Sequence, residues 1–278
     1  MNIEEQKIDK LAELAVKTGV SLQKGQDLLL TSPIEALPLV RKVVEHAYKA
    51  GANLVTPLFS DPEITVSRFK YASDQSFDKA TNWLYNGMAE AFDNNTARLA
   101  IVGEDPLLLS GQDPSKVSRA NKATSIAAKP AMERITRFDI NWNLISWPGK
   151  AWACQMFPEL DQESAQIKLA DAIFTASRVN SPDPISEWEK HNINLRKWSD
   201  WLNSQNFYAL SYKGPGTNLT VGLADDHEWM GGASKAQNGV ICNPNIPSEE
   251  VFTTPHAFRV DGEVCATKPL SHQGSLIE

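Results

Sequence analysis

Residues Asp27 to Gly51 read D-L-L-L-T-S-P-I-E-A-L-P-L-V-R-K-V-V-E-H-A-Y-K-A-G and combine a short apolar run with an amphipathic pattern. The run from Asp27 to Thr31 is typical of a buried strand. Ser32 is predicted to cap a helix, Pro33 suits its first turn, and Glu35 completes a capping box. Five apolar residues at helical spacing form the predicted inner face of that helix: Leu37, Val40, Val43, Val44 and Ala47.

The alternation of strands and helices continues on both sides of this stretch. Further strands are predicted at Asn53 to Leu58, Arg98 to Val102 and Trp142 to Trp147. Further helices are predicted around Ile8 to Ala15, Pro62 to Tyr71, Trp83 to Phe92 and Ser115 to Ile135. Because a helix that crosses between two strands usually joins parallel neighbours, we expect an α/β fold with a mainly parallel sheet.

The pattern changes after about residue 205. Two helices precede this point, one capped by Asp161 and one opened by Asp183-Pro184 with the inner face Trp188, Leu195, Trp198 and Leu202. Beyond it, Gly214-Pro215-Gly216-Thr217 separates two β-rich runs and predicts a hairpin. Short strands are expected near Val240, at Phe258 to Thr267 and at Ser275 to Glu278. We therefore expect an N-terminal α/β domain over residues 1–205 and a β-rich region over residues 206–278.

Composition and charge exclude several classes of protein. A chain of 278 residues with 42% hydrophobic and 22% charged residues is typical of a soluble globular protein. The net charge of -7 offers no basic surface for nucleic acid and no polybasic membrane patch. The acidic start is not a signal peptide, and three scattered cysteines indicate a reducing compartment. The sequence therefore predicts a cytoplasmic protein that binds neither nucleic acid nor membrane.

Residues Cys242 to Pro255 read C-N-P-N-I-P-S-E-E-V-F-T-T-P and contain the adjacent acids Glu249 and Glu250. One interpretation is an ordinary helix start, with Ser248 as the cap and the acids at the positive end of the helix dipole. The other is a metal site, in which one carboxylate binds a divalent cation and its neighbour polarises water. The rigid approach through Pro244 and Pro247 favours the second interpretation, because a metal ligand has to be held in place.

This segment resembles the signature of the aminopeptidase T/S family, the thermophilic-type and PepS-type metallo-aminopeptidases. Other stretches also resemble family positions: Leu11 to Leu14, Pro33 to Val40, Trp83 to Met88, Gly214 to Thr217, Trp229 to Gly232 and Val260 to Glu263. The resemblance therefore extends over essentially all 278 residues. Its specific part is the pattern around the acidic pair, and the other stretches support it.

The resemblance implies removal of the amino-terminal residue from peptides by two divalent metal ions, which could be Zn, Co, Mn or Mg. Such a pair of cations binds a bridging water, polarises the scissile carbonyl and holds the free amino terminus. Glu250 matches the family's metal-binding glutamate, and Glu249 is placed to act as the general base. The expected partners are peptides with a free amino terminus and a second copy of the chain in a homodimer.

The family's other ligands, a glutamate, two histidines, a tyrosine and an aspartate, are expected beyond Glu278. The chain is accordingly expected to be the N-terminal part of a longer enzyme and inactive alone, with residues 206–278 beginning the catalytic domain. The histidines after the acidic pair, His256 and His272, do not match ligand positions and are interpreted as loop and turn residues. His227 is interpreted as a loop tip, and His191 as a hydrogen-bonded helix residue. His46 is expected on the surface.

The sequence is also compatible with two other functions. The first is a catalytically inactive binding or oligomerisation module that lacks most of the metal ligands. The second is an α/β protein that binds a small molecule, which rests only on the alternation of strands and helices. Fold alone does not imply function, and the sheet-rich first half lacks a GxGxxG fingerprint for dinucleotides.

Overall fold

The computed structural model describes residues 3–265, 270–272 and 275–277. A sheet of four strands lies at its centre, in the spatial order β2-β1-β3-β4. All three pairings in this sheet are parallel. The strands are β1 (Leu28–Pro33), β2 (Val55–Ser60), β3 (Ala97–Val102) and β4 (Trp142–Ser146). The predicted α/β fold with a mainly parallel sheet is confirmed.

Helices connect the strands and then continue beyond the sheet. They are α1 (Glu5–Leu14), α2 (Leu37–Lys49), α3 (Pro62–Tyr71), α4 (Asn82–Asp93), α5 (Pro114–Thr136), α6 (Lys150–Met156), α7 (Gln162–Ala176) and α8 (Pro184–Gln205). A π-helical turn, Ala15–Gly19, extends α1. Asp161 and Asp183 cap α7 and α8 through their side chains, as the sequence predicts. None of the helices in the described part of the chain combines the length and apolar character needed to cross a membrane.

The predicted capping box at the start of α2 is wrong. β1 runs on to Pro33, and a 3-10 turn over Ile34–Ala36 separates it from the helix. The hydroxyl of Ser32 donates to the carbonyl of Pro33, and no side chain caps the helix. Pro38 instead occupies the first turn of α2, where its missing N–H costs nothing. Pro38, five residues after Pro33, therefore marks the start of α2.

The two faces of the sheet are covered differently, because alternate residues of a strand point to opposite sides. Leu28 and Leu30 of β1 belong to a large buried cluster with residues of α1, α2, α7 and α8. Leu29, between them, belongs to a smaller cluster with residues of α4 and α5. We call the side of the sheet that carries the large cluster the packed face and the opposite side the cavity face. Cavities of about 310 and 420 Å³ lie on the cavity face.

The β-rich region after α8 begins with the predicted hairpin of β5 (Ala209–Gly214) and β6 (Thr217–Leu223). The long strand β11 (Pro255–Glu263) adds to it in antiparallel pairing. Short strands complete the region: β7 (Met230–Gly231), β8 (Ser234–Lys235), β9 (Ile241–Cys242), β10 (Val251–Phe252), β12 (Leu270–His272) and β13 (Ser275–Ile277). Residues 266–269 and Glu278, at the ends of strands expected from the sequence, lie outside the described residues.

The predicted inner face of α8 is correct for only part of its length. Trp188 and Leu195 are buried, whereas Trp198 is 60% exposed. Leu202 is half-buried, and Asn203 in the last turn exchanges hydrogen bonds with the backbone of Trp229, so this end of the helix packs against the β-rich region. The expected surface position of His46 is also wrong: it is 9% exposed, and its Nε2 lies 3.1 Å from a carboxylate oxygen of Asp9.

Candidate functional site

The acidic pair lies in an extended loop between β9 and β10, so the interpretation of Glu249 and Glu250 as a helix start is wrong. The chain enters β10 at Val251, directly after Glu250. β10 pairs with β7, which places Val251 opposite Gly231. A Cβ at position 231 would contact the carbonyl oxygen of Glu250 at 2.8 Å, so the glycine permits this close approach.

The proline-rich approach to the acids is attached to the edge of the parallel sheet. The N–H of Leu144 in β4 donates to the carbonyl of Pro244 at 2.8 Å, and the N–H of Ile246 donates back to the carbonyl of Leu144 at 3.0 Å. Asn245 therefore forms an isolated parallel bridge to Leu144. Ile246 is 1% exposed and belongs to the buried cluster of the packed face. The segment before the acids is thus fixed by the sheet itself.

Two buried asparagines reinforce this attachment. The side-chain amide of Asn143 in β4 donates to the carbonyl of Asn243 at 2.7 Å. The N–H of Asn243 donates to the carbonyl of Gly19, and its side-chain amide donates to the carbonyl of Thr18. A side chain at Gly19 would collide with Asn143, because an added Cβ would lie 2.6 Å from its oxygen. Buried amides need such partners, so these bonds define one position for the loop.

Glu249 forms a bidentate ion pair. The two terminal nitrogens of Arg178 donate to its two carboxylate oxygens at 2.8 and 3.2 Å. Arg178 follows α7 in the left-handed region, with φ of 62°, and its guanidinium stacks 5.0 Å from the ring centre of Trp188. The hydrogen bonds from Arg178 lower the pKa of the Glu249 carboxyl. Glu249 is therefore ionised and occupied by a structural partner.

His191 fixes the backbone immediately before Glu249. Its Nε2 lies 2.7 Å from the carbonyl oxygen of Ser248 and 3.6 Å from a carboxylate oxygen of Glu249. The ring packs edge-on against Trp188, which is fully buried and donates its own indole N–H to the carbonyl of Ser177. The interpretation of His191 as a hydrogen-bonded helix residue agrees with this geometry.

Glu250 faces a cavity of about 460 Å³ between α5 and the loops of the β-rich region. Among the described residues that line this cavity, Glu250 is the only charged one. The walls are mainly apolar and aromatic, and they include Ile135, Phe138 and Trp142 on one side and Phe252 on the other. Glu250 itself is exposed, so its carboxylate lies at the rim rather than within the wall.

The described residues do not form a metal site by themselves. No group of three or more His, Cys, Asp or Glu side chains comes together among the residues that the structure describes. Glu250 is one oxygen donor, and a divalent cation needs several. Its exposure and lack of a described ion-pair partner leave the carboxylate free to accept a ligand, whereas Glu249 is already paired. The donor set of a metal centre would need additional residues.

The other residues considered as ligands lie elsewhere. His256 is in β11 and His272 is in β12, so their interpretation as loop and turn residues is wrong. His227 is in a loop, as expected, with its Nδ1 3.0 Å from the carbonyl oxygen of Ala224. Cys242 is fully buried, and burial raises the pKa of its thiol to about 11, which excludes an ordinary thiolate nucleophile.

Sequence reasoning missed Arg178 and Asn143. Arg178 lies 71 residues before its partner Glu249, and Asn143 lies 100 residues before Asn243. An amide side chain near the start of the mainly apolar strand Trp142 to Trp147 was the one available signal for Asn143. Nothing in the local pattern around Arg178 indicates an ion pair.

The chain matches a family model described as "Thermophilic metalloprotease (M29)" over residues 4–278. It is 48% identical over 271 residues to aminopeptidase T from Thermus thermophilus, and this match covers 98% of this chain and 66% of that protein. It is 41% identical over 278 residues to aminopeptidase 2 from Geobacillus stearothermophilus, covering 100% of this chain and 67% of that protein. The chain therefore spans about two thirds of the length of these relatives.

The chain also matches a solved structure over nearly its whole length. Wild-type AmpT from Thermus thermophilus superposes with a TM-score of 0.91 and 47% sequence identity. The match covers 99% of this chain and 68% of that chain.

Proposed function

The chain belongs to the thermophilic metalloprotease family M29, and from this premise we propose that it forms part of a metal-dependent aminopeptidase. The reaction proposed is hydrolysis of the first peptide bond of a substrate with a free amino terminus. The names of the aminopeptidases that it matches support this reaction. Because the chain spans 66% of the first of these relatives, the activity is proposed for the whole protein.

The observation that carries the proposal is the position of Glu250. Its carboxylate is the only charge that the described residues present to the 460 Å³ cavity, and the loop that holds it is bonded to the sheet edge. A carboxylate held on a rigid support is what a metal ligand requires. We propose Glu250 as one ligand of a centre with two divalent metal ions. Such ions would supply an activated water and a polarised carbonyl when bound.

The role of Glu249 as general base stays a prediction, and its surroundings weigh against it. A general base has to accept a proton near the working pH, so a pKa held low reduces its basicity. Glu249 is paired with Arg178, and this pairing lowers its pKa. The same contacts support a positioning role, in which Arg178 and His191 fix the backbone that aims Glu250 at the cavity.

The walls of the cavity support a preference for apolar amino-terminal residues. Phe138, Trp142 and Phe252 supply aromatic surface, and Ile135 adds an aliphatic contact. An apolar side chain gains free energy when such surface leaves water, at about 25 cal/mol for each Å² buried. A charged side chain would lose hydration there without a partner among the described lining residues. Leucine or phenylalanine should therefore be preferred over lysine or aspartate.

Organisation and location are proposed with the function. We propose a boundary after α8, between an α/β domain over residues 1–205 and the beginning of the catalytic domain over residues 206–278. The contacts of Asn243 and Ile246 with the first of these regions indicate that the two are packed together. The exposed indoles of Trp198 and Trp201 support a homodimer. Three free cysteines support a cytoplasmic location.

The test uses the protein produced from its complete gene, with release of leucine from a short peptide and metal content measured on the same samples. Glu250→Ala should lower kcat/KM by at least about 100-fold and reduce the metal bound per chain, because one anionic ligand is lost. Glu189→Ala, an exposed acid on α8, is the matched control and should leave both quantities unchanged.

Two results would contradict the proposal. One is an unchanged metal content and full activity in Glu250→Ala, which would remove the ligand. The other is a wild-type protein that neither binds a divalent metal nor releases amino acids, which would favour the inactive module.

A further inference from the structure

We propose that the 420 Å³ cavity on the cavity face binds a small carboxylate with an aliphatic body, whose anionic group pairs with Arg98. This cavity adjoins the one that Glu250 faces and shares Met132 and Ile135 of α5 with it, whereas Arg98 is not among the residues that line that second cavity. The inference does not depend on the proposed aminopeptidase function.

Arg98 is the first observation. It lies in β3, in register with Leu29 on one side and Trp142 on the other, so its side chain leaves the sheet beneath α4 and α5. Its Nε is inaccessible to solvent and has no hydrogen-bond partner among the residues that the structure describes. Burial lowers the pKa of the guanidinium, and no described carboxylate opposes that effect. A partly buried cation without a partner is costly, and a structure usually retains one only where something pairs with it.

The place of the cavity in the fold is the second observation. In the order β2-β1-β3-β4, the chain leaves β1 towards one edge of the sheet and leaves β3 towards the other. The crevice at the carboxyl ends of these two strands is the position where open α/β sheets bind ligands. Ser32 near the end of β1, Ser60 at the end of β2 and Val102 at the end of β3 all line the cavity, which extends from this edge along β3 to Arg98, the second residue of that strand.

The lining defines the chemistry of the ligand. Most of the wall is apolar, with Met88 of α4 and Met132 of α5 among its residues. Arg98 and Glu104 are the charged residues that the described part of the chain contributes to it, and burial alone, with no contribution from Glu104, shifts the pKa of Arg98. A guanidinium pairs best with a planar carboxylate, through two parallel hydrogen bonds. One anionic group on an aliphatic body therefore fits one arginine in an apolar cavity.

The source of the carboxylate could be a free aliphatic acid or an aliphatic amino acid. An amino acid would also carry an ammonium group, and Glu104 is the one carboxylate among the described residues that line the cavity. Three probes separate these cases: 4-methylpentanoate, leucine and the neutral isostere 4-methylpentanamide. Binding is measured by calorimetric titration of the whole chain and by the shift of its thermal unfolding midpoint.

The wild-type protein should bind 4-methylpentanoate or leucine in a saturable manner, with Kd of about 1 mM or below, and should not bind the amide measurably. Arg98→Met should weaken binding at least about tenfold, because a hydrogen-bonded charge is lost. Arg98→Lys should bind with intermediate affinity, since lysine keeps the charge but not the fork. Arg196→Met, an exposed arginine on α8, is the control and should bind as the wild type does.

Tighter binding of leucine than of 4-methylpentanoate would identify an amino acid site, and the reverse order would identify a simple acid site. Three results would overturn the proposal. They are no saturable binding of either acid, equal binding by Arg98→Met, and binding of the amide as tight as that of the acid. The comparison of acid with amide uses only the wild-type protein, so it tests the proposal even if Arg98→Met does not fold.

Discussion

The packed face and the cavity face of the sheet differ in how completely they are filled. On the packed face, Leu28 and Leu30 of β1 are fully buried beneath α1 and α2, with residues of α7 and α8 in the same cluster. On the cavity face, Leu29 of the same strand packs beside a cavity of about 310 Å³ under α4. Three cavities on that side, including the one that Glu250 faces, are lined by residues of α4 or α5.

This difference indicates that the two faces of the sheet have different roles. A close-packed layer loses free energy when any of its atoms is removed, so it can hold attached segments in fixed positions. A loosely packed layer contributes less to the free energy of unfolding and leaves room for ligands. The acidic pair lies where the two meet, because Arg178 and Ile246 join the loop to the packed side while Glu250 faces a cavity.

The strongest test of this comparison replaces adjacent leucines of β1. Leu30→Ala should lower the free energy of unfolding by about 3–5 kcal/mol, since a new cavity would open in a filled layer. Leu29→Ala should cost only about 1–2 kcal/mol, because the lost side chain extends a cavity that already exists. Denaturant unfolding followed by tryptophan fluorescence measures both.

The two variants are each other's control, as they remove the same atoms from the same strand. Equal losses of stability would contradict the contrast between the faces. A larger loss in Leu29→Ala would reverse it.

A second test asks whether the packed side positions the acidic loop. Arg178→Met removes the ion pair to Glu249 and the stacking on Trp188, while the aliphatic part of the side chain is kept. We expect kcat to fall about 10- to 100-fold with little change in KM, because a shift of about 1 Å in a positioned group has this effect. Steady-state kinetics on the protein produced from its complete gene provide the measurement.

Arg41→Met, at an exposed position on α2, is the matched control for Arg178. Unchanged kcat in Arg178→Met would show that the ion pair does not position Glu250. Restored activity in Arg178→Lys would indicate that charge, rather than the bidentate geometry, is what matters.

The fold was largely predictable because its signals are local. Asp27 to Thr31 and Ser115 to Ile135 carry the periodicity of a strand and a helix, and the structure places β1 and α5 there within a few residues. The errors arose where tertiary contacts decide the outcome. Ser32 and Glu35 have the spacing of a capping box, yet β1 continues to Pro33 because β2 pairs with it over its full length.

The candidate site was predictable only in part. The prolines and adjacent acids of Cys242 to Pro255 mark a rigid, charged loop, and this is visible in the sequence alone. The division between Glu249 and Glu250 is not visible, because it is decided by Arg178, 71 residues away, and by the sheet edge at Leu144. Partners so distant in sequence leave no periodic signal.

The smallest effect is expected at Glu249 and depends on pH. The pKa of Glu249 in the folded protein is lowered mainly by the hydrogen bonds from Arg178, with a smaller contribution from His191. A lowered pKa stabilises the fold above the unfolded value of 4.5, and that stabilisation is lost as the pH falls through the folded pKa. Glu249→Gln should therefore lower stability at pH 6 by about 0.2–1 kcal/mol, the range for a solvent-exposed ion pair.

The gap in stability between wild type and Glu249→Gln should narrow below about pH 4.5 and close once Glu249 is protonated in the folded wild type. Denaturant unfolding at pH 6, 5, 4 and 3.5 follows the gap, with Arg178→Met as the parallel variant. In an Arg178→Met background, Glu249→Gln should have almost no effect, because the ion pair is already absent. If the difference in stability between wild type and Glu249→Gln instead grew towards low pH, its sign would contradict an ionised Glu249. Glu249 would then again be a candidate for the general base.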